Sequence, residues 1–449
     1  MGKLVVKRVE VRGTTRIGCR TRMGYKAGSK SPAVREMKRE GLGIQYHVTD
    51  GTNHFIAQGR LDDFRHISLE PSLHPNAVNQ TFVDGPVLRR AQEVLEQVPQ
   101  VRGRLQLVQK GAINFDGLSF SITPTDAMFK VTIPNGDVWP ASALVPFDHI
   151  EISPAAGALN YGQQLFEGMK ALNTPEGNVV LFRPKENAKR AIDGAKRLGL
   201  TSVPVDYFLN AVTRVVRANR RWIPPHGKGA LYIRPLLIGS GPIVGVAPAP
   251  ENTFMVFVTP VGPYFKGGLT AIDLIVSEKN HRAAPGGSGS VKAGGNYAPG
   301  MMPAKEAKAA GFAEVIYLDA QEHKYVEEVG AANFFCICGN TIHTPKLTGT
   351  ILPGITRASV IQIARDLGYE VIEHERVPID FVMQNATAAF CTGTAAVISP
   401  IGSITHGDIK KIFNNGEVDP TVRILYEALT AIQTQQAEDR HGWVFPVAI

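Results

Sequence analysis

Lys292 stands just ahead of a glycine pair in the run VKAGGNYAP (291–299), and Tyr297 follows five positions later. Paired glycines let a backbone approach a flat ligand closely. A lysine whose amine condenses with a carbonyl to form a Schiff base needs that clearance. Downstream, YVEEVGAANFF (325–335) sets Glu328 ahead of a small-residue step and an apolar run. A carboxylate so placed can face the nitrogen of a heteroaromatic ring. The third piece, ILPGITRASVIQIARDLG (351–368), reads as a turn and then a helix whose first amides are free to hold a phosphate. Singly, each has an ordinary reading: a surface lysine, a solvated strand glutamate, a helix start. In this order, lysine, carboxylate and phosphate cup describe a site for pyridoxal phosphate.

Rigid elements must hold those groups. EVIYLDA (314–320), KYVEEV (324–329), NFFCICG (333–339) and TIHTP (341–345) read as consecutive strands, with Gly339–Asn340 as a tight turn. Glu328 thus lies in a meander. ENAKRAIDGAKRLG (186–199) and VDYFLNAVTRVVRANRRW (205–222) carry helical periodicity. Runs of strands followed by helices predict an α+β fold rather than a doubly wound parallel sheet.

Longer motifs carry a resemblance. From the acidic residue to the phosphate loop the chain reads Glu328, Gly330, Asn333, Phe334, Phe335, Thr344, Leu352, Gly354, Ile355 and Arg357. Upstream lie LNYGQQLFEGMKA (159–171), LFRPKENAKR (181–190), GALYIRPLLIGSGP (229–242) and APAPENTFMVFVTPVGPYF (247–265). The chain resembles the class IV pyridoxal-phosphate aminotransferases, and within them the branched-chain amino acid aminotransferases, closest to plant members. The likeness runs from NFDGLSFSITPTDAMF (114–129) to the C-terminus.

The resemblance implies a fold and a set of roles. A smaller domain is expected at 112–264 and a larger pseudo-barrel domain at 271–449, joined by a linker at 265–270. Lys292 would hold pyridoxal 5'-phosphate and carry the proton during transamination, Glu328 would face the ring nitrogen, and Tyr297 would donate to the ring's phenolic oxygen. Arg190, the amides of Ile355 and Thr356, and the Thr394 hydroxyl would hold the phosphate. The substrate α-carboxylate would meet the amides of Ala331 and Ala395, helped by Tyr161. Phe120, Phe166, Tyr232 and Tyr264 would form the side-chain pocket, with Arg234 a candidate for the glutamate γ-carboxylate. Val244 and Val246 are expected to enter from a second copy, making a homodimer. The implied reaction exchanges the amino group of leucine, isoleucine or valine with 2-oxoglutarate. One departure stands out: where some animal members carry a Cys-x-x-Cys redox pair, this chain has Ala396 and Ser399, so no thiol switch is expected there. Other reactions on the same fold stay open at this point: a D-amino acid aminotransferase, a methionine-pathway aminotransferase or a lyase. So does a non-catalytic binding protein.

The 449 residues, 44% hydrophobic and 20% charged, suit two or three globular domains with sizeable cores. No apolar run approaches the roughly 18–20 residues of a spanning helix. The four cysteines, Cys19, Cys336, Cys338 and Cys391, lack metal-ligand spacing, so no metal is expected; Cys336 and Cys338 read as buried thiols on one face of a strand. The +8 net charge is local. Residues 1–40 hold twelve Lys and Arg against Glu10, Glu36 and Glu40, which leaves 41–449 at −1. No basic face for nucleic acid therefore follows for the body of the protein. Residues 1–40 read as a basic leader, either an organelle transit peptide addressing a chloroplast (alternatively a mitochondrion), a solvated arm of a cytoplasmic protein, or a nucleic-acid contact. Residues 41–111 match nothing familiar, though DGPVLRRAQEVLEQV (84–98) has an amphipathic helical stripe.

Overall fold

Two sheets and the helices packed on them carry Lys292, Glu328 and Arg190. The computed structural model describes residues 113–265 and 268–448, together with five strands nearer the N-terminus. Those strands are β1 (Val5–Thr14), β2 (Arg20–Tyr25), β3 (Gly43–Thr49), β4 (His54–Arg60) and β5 (Ser68–Pro71). They form an antiparallel sheet in the order β2-β1-β3-β4-β5 within a unit spanning Met1–Ile113. The expected helix at 84–98 lies outside the described residues. Strands β1 and β2 fall inside the stretch read as a leader.

Residues Asn114–Ile449 form a second compact unit. Its first sheet contains β6 (Ala127–Pro134), β7 (Leu144–Pro146), β8 (Gln164–Phe166), β9 (Met169–Asn173), β10 (Val179–Phe182), β11 (Ala230–Gly239) and β12 (Glu251–Val261). The long antiparallel pair β11–β12 is its spine, and β8 and β9 both pair with β11. A C-terminal strand, Val444–Pro446, returns to pair with β10, so the end of the chain finishes the first sheet. The short helix α1 (Gly157–Tyr161) precedes β8. Two helices follow β10, α2 (Pro184–Leu198) and α3 (Val205–Ala218). Helix α3 buries Phe208, Val212, Val215 and Val216 at helical spacing against Phe129, Phe254 and the sheet. Each such fully buried side chain contributes about 1.5–3 kcal/mol. The periodicity predicted one helix to Trp222, but it breaks at Asn219. That buried side chain donates to the carbonyls of Ala127 and Val215 and accepts from the amides of Asp126 and Ala127. It ends the helix by bonding it to the edge of β6.

The second sheet contains β13 (Ile272–Ser277), β14 (Glu314–Leu318), β15 (Val326–Val329), β16 (Ala332–Cys338), β17 (Thr341–Pro345), β18 (Glu370–His374), β19 (Ala388–Gly393), β20 (Val397–His406) and β21 (Ile409–Ile412). Its order is β15-β14-β13-β20-β19-β16-β17-β18, and β15 also pairs with β16. That extra pairing closes six strands into a barrel, a mixed sheet in which β13 runs parallel to both β14 and β20. Closure removes the free edges of those strands. The closing seam places Glu328 opposite Asn333.

Helices α4 (Met301–Ala309), α5 (Ile355–Asp366), α6 (Ile379–Asn385) and α7 (Pro420–Gln433) accompany this sheet. Helix α7 starts on an Asp419 side chain that accepts the Thr421 amide, whereas α5 starts at Gly354 with no side-chain cap. Its first amides are left for something else. Cys336 is buried as expected, but Cys338 is only half-buried near the strand end. Among the described residues no helix is long and apolar enough to cross a membrane, and no cluster of three metal-ligating side chains occurs.

Candidate active site

Lys292 sits in an extended segment laid against β8, where the Phe166 amide donates to its carbonyl at 3.1 Å and Leu165 bridges Ala293. The turn that follows is clamped by Asn296, whose amide donates to the carbonyls of Ser288 (2.6 Å) and Val291 (2.7 Å). The Lys292 amine donates to the Tyr297 hydroxyl at 3.0 Å and lies 4.8 Å from the centroid of the Phe166 ring. Phe166 and Tyr297 meet edge to face at 4.9 Å. The two glycines differ in their surroundings. A Cβ at Gly294 would strike the Gln164 side chain, while one at Gly295 would meet nothing. Gly294 lets the turn pack on β8, and Gly295 faces open space.

Glu328 lies on the barrel seam, 1% exposed. One carboxylate oxygen accepts from Asn333 Nδ2 at 3.2 Å, and that same amide donates to the Leu352 carbonyl. The other stands 2.5 Å from Nη1 of Arg282, yet it accepts no aligned hydrogen bond. Burial pushes the Glu328 carboxyl up to about 7, against the opposing charges of Arg282 and Lys292 and the amide of Leu352. A carboxylate oxygen buried with its hydrogen-bonding capacity unmet calls for a donor.

Arg190, on α2, is gripped at both ends of its guanidinium. Nε and Nη2 donate to the two oxygens of Glu167 at 2.8 Å each, and Nη1 donates to the Pro353 carbonyl at 2.9 Å. Asn187 donates to the same Glu167 carboxylate. Burial acts to raise the Glu167 carboxyl, but Arg190, with help from Lys292 and Asn187, holds it below the ordinary range. Ile355, Thr356 and Thr394 line one small cavity together with Gly168, Lys170 and Asn187, and Thr394 Oγ donates to the Gly168 carbonyl. Lys170 is half-buried with its amine donating to the Ala395 carbonyl at 2.5 Å, and desolvation of that amine lowers it to about 8. The turn bearing Thr394 and Ala395 ends at Val397, whose φ of 66° is costly for a β-branched residue.

The expected side-chain pocket forms an aromatic group. Phe120 meets Tyr232 and Tyr264 edge to face at 6.3 and 6.0 Å. The Arg234 guanidinium lies over both Phe166 (4.8 Å) and Tyr232 (5.3 Å), and its Nε is buried with no partner. Gly168 is required here, since a Cβ would run into the Tyr232 hydroxyl. The Tyr161 hydroxyl donates to the carbonyl of Val244. Val244 and Val246 project, 84% and 89% exposed. Ala331 occupies the turn between β15 and β16.

The class IV amino-transferase family matches this chain over residues 164–404, a span that takes in Lys292, Glu328 and the start of α5. The chain belongs to the class IV aminotransferases. It is 49% identical over 338 residues to branched-chain amino acid aminotransferase 2, chloroplastic, of Humulus lupulus, covering 75% of this chain and 82% of that protein. It is 43% identical over 335 residues to the methionine aminotransferase BCAT4 of Arabidopsis thaliana, covering 75% and 94%. Its fold is similar to the T.th. branched-chain amino acid aminotransferase solved with pyridoxamine 5'-phosphate, at TM-score 0.63 and 32% identity, covering 73% of this chain and all of that one.

In this class IV aminotransferase the residues present fit pyridoxal phosphate. Glu328 Oε2 is buried beside Arg282 with no aligned hydrogen bond, so it keeps capacity to accept one, and no carboxylate among the described residues forms an ion pair with Lys292. The uncapped start of α5 supplies free amides. Sequence reasoning missed Glu167, Lys170, Arg282 and Asn296. Each stands in a motif quoted for another residue or in a loop with no periodicity, so only the packing shows its role. The nearest signal was the LFEGMK run itself, where an acid and a lysine flank a glycine in an otherwise apolar strand pair.

Proposed function

We propose that this class IV aminotransferase exchanges the amino group of L-leucine, L-isoleucine or L-valine with 2-oxoglutarate, using pyridoxal 5'-phosphate. The observation that carries the substrate class is the aromatic group of Phe120, Tyr232 and Tyr264, joined through the half-buried Arg234 guanidinium, whose Nε has no partner, to the Phe166 ring that lies against Lys292. An apolar wall suits branched aliphatic side chains, and Arg234 offers a charge for the γ-carboxylate when glutamate takes their place. When bound, pyridoxal phosphate supplies an aldehyde that accepts the amino group and a ring that takes up electrons. Lys292 moves the proton at the substrate α-carbon, and Tyr297, hydrogen-bonded to it, fixes where the amine points. Glu328 accepts from the ring nitrogen, Arg190 and the amides of Ile355 and Thr356 take phosphate oxygens, and Thr394 adds its hydroxyl. The amides of Ala331 and Ala395 orient the substrate carboxylate, with Lys170 fixing the second of them through its carbonyl. The test is a steady-state screen of leucine, isoleucine, valine, methionine and D-amino acids against 2-oxoglutarate. Methionine preferred over all three branched substrates, as the BCAT4 likeness allows, would overturn the assignment.

Val244 and Val246, exposed together beside the Tyr161 hydroxyl, support a homodimer in which this edge completes the neighbour's pocket. An interface that completes an active site is expected to bury about 1,200 Å² or more. Sedimentation at assay concentration is expected to show a dimer as the smallest active species; a fully active monomer would contradict it.

All the residues given roles lie at or beyond Phe120, inside the unit Asn114–Ile449. A chain starting at Gly111 is therefore expected to keep its leucine and 2-oxoglutarate kinetics, with little loss in melting temperature. An insoluble or inactive product would show that the extension belongs to the fold. The basic stretch 1–40 supports a chloroplast address, as does the chloroplastic relative. Mass spectrometry of the mature protein should then find its N-terminus beyond residue 40, with β1 and β2 removed.

A further inference from the structure

We infer that Arg282 is a positioning residue for the transfer reaction: its buried guanidinium, fixed between Glu328 and the carbonyls of Gly289 and Thr350, keeps the Glu328 carboxylate charged and aimed at the cofactor's ring nitrogen. The inference rests on the role proposed above for Glu328. Arg282 and Glu328 are 5% and 1% exposed, with Nη1 and Oε2 2.5 Å apart, so the pair attracts across a medium that screens it weakly. Nη1 also donates to Gly289 at 3.3 Å and to Thr350 at 3.2 Å. Gly289 lies just ahead of Lys292, and Thr350 just ahead of the loop that opens α5. One guanidinium therefore ties together the segments bearing the lysine, the carboxylate and the phosphate cup.

The charged and titratable groups around Glu328 come from four directions. Arg282 and Lys292 lie on the segment between β13 and α4, Glu327 is the neighbour on β15, Tyr317 is the register partner on β14, and Arg190 reaches in from α2. Burial raises the carboxyl, Arg282 is the largest influence against it, the Leu352 amide and then Lys292 follow, and Glu327 adds to the rise. The balance stands at about 7, so ionisation of Glu328 is poised within the working range even with Arg282 in place. Without Arg282 the carboxyl stays protonated to higher pH. It then presents an O–H where an acceptor is needed, and the ring nitrogen loses its reason to hold a proton. The sign in the cofactor-free protein follows. A carboxyl raised from 4.5 to about 7 contributes stability present in full below 4.5 and lost as pH rises through 7. Binding a ring N–H opposes that loss, so affinity for the cofactor should climb as Glu328 ionises.

The test uses the full chain, stripped of cofactor and titrated with pyridoxal 5'-phosphate from acid to alkaline pH, with the ring-nitrogen NMR shift of 15N-labelled cofactor as a second readout. Arg282→Met is expected to move the midpoint of the affinity rise up by about one pH unit or more. It should also deprotonate the ring nitrogen at neutral pH and lower kcat by about 10- to 100-fold, with KM within about threefold. Arg282→Lys should recover most of both, and Arg282→Met added to Glu328→Gln should change neither readout further. A merely structural arginine would lower the melting temperature in each background and leave midpoint and shift alone. A wild-type midpoint in folded Arg282→Met, or additive effects with Glu328→Gln, overturns the inference. If Arg282→Met does not fold, Arg282→Lys decides it, by a smaller upward shift or by none. Wild-type protein that binds the cofactor but does not turn over branched-chain substrates would sink the proposed function alone. Wild-type protein that binds no cofactor would sink both.

Discussion

Lys292→Ala is expected to abolish transamination, by at least about four orders of magnitude, the upper range for loss of a positioned proton-transfer group. The fold should survive, because the lysine side chain is held by one hydrogen bond, to Tyr297, and its backbone bond to Phe166 does not depend on the side chain. The purified wild-type protein should be yellow, and borohydride should fix the cofactor covalently to a peptide containing Lys292. The site holds a credible rival in Lys170, half-buried like Lys292, whose amine is lowered to about 8 and so is neutral more often than an ordinary lysine. By its share of free amine alone, Lys170 could serve as a nucleophile. Geometry decides against it, since its amine is committed to the Ala395 carbonyl at 2.5 Å. Lys292 instead rests on a phenol it can leave. Peptide mapping that puts the reduced adduct on Lys170 would overturn the assignment and would make Lys292 a bystander.

What the sequence disclosed and what it hid divide along local and non-local lines. The strands from 314 to 345 and helices α2, α3 and α5 were legible because apolar spacing and turn residues are local properties. Helix α3 ran long in the sequence reading because the stop comes from Asn219 bonding to β6, far away in the chain. The barrel was expected only through resemblance, since its closure depends on β13 pairing with β20 and on β15 doubling back on β16. The charged members of the site show the same split. Arg190 was legible within LFRPKENAKR, but its bidentate partner Glu167 was not, because nothing local joins the two. HRAAPGG reads as a loop, and only folding puts its arginine against Glu328. Val244 and Val246 gave no signal of their own; a pair of exposed valines means something only once a second copy is considered.

Glu328→Gln is expected to keep the cofactor bound and to lower turnover by roughly two orders of magnitude or more, the range for losing one preorganised charged partner. The proposed phosphate contacts of Arg190, Ile355, Thr356 and Thr394 and the proposed bond to Lys292 do not involve Glu328, so affinity should fall far less than kcat. The amide retains the shape of the carboxylate and can still accept through its oxygen, but it brings no charge to hold a proton on the ring nitrogen. The same substitution leaves Arg282 buried without its counter-charge. Breaking one side of a buried pair costs about 3–5 kcal/mol, so a lower melting temperature is expected as well. The two losses must be kept apart. Turnover has to be counted per folded, cofactor-loaded site, by absorbance and circular dichroism on the same sample. If the loaded fraction alone accounts for the fall, Glu328 is a structural partner of Arg282 and nothing more. A fall of a hundredfold per loaded site, with KM for leucine nearly unchanged, would place the loss in the chemical step, where a ring-nitrogen partner must act.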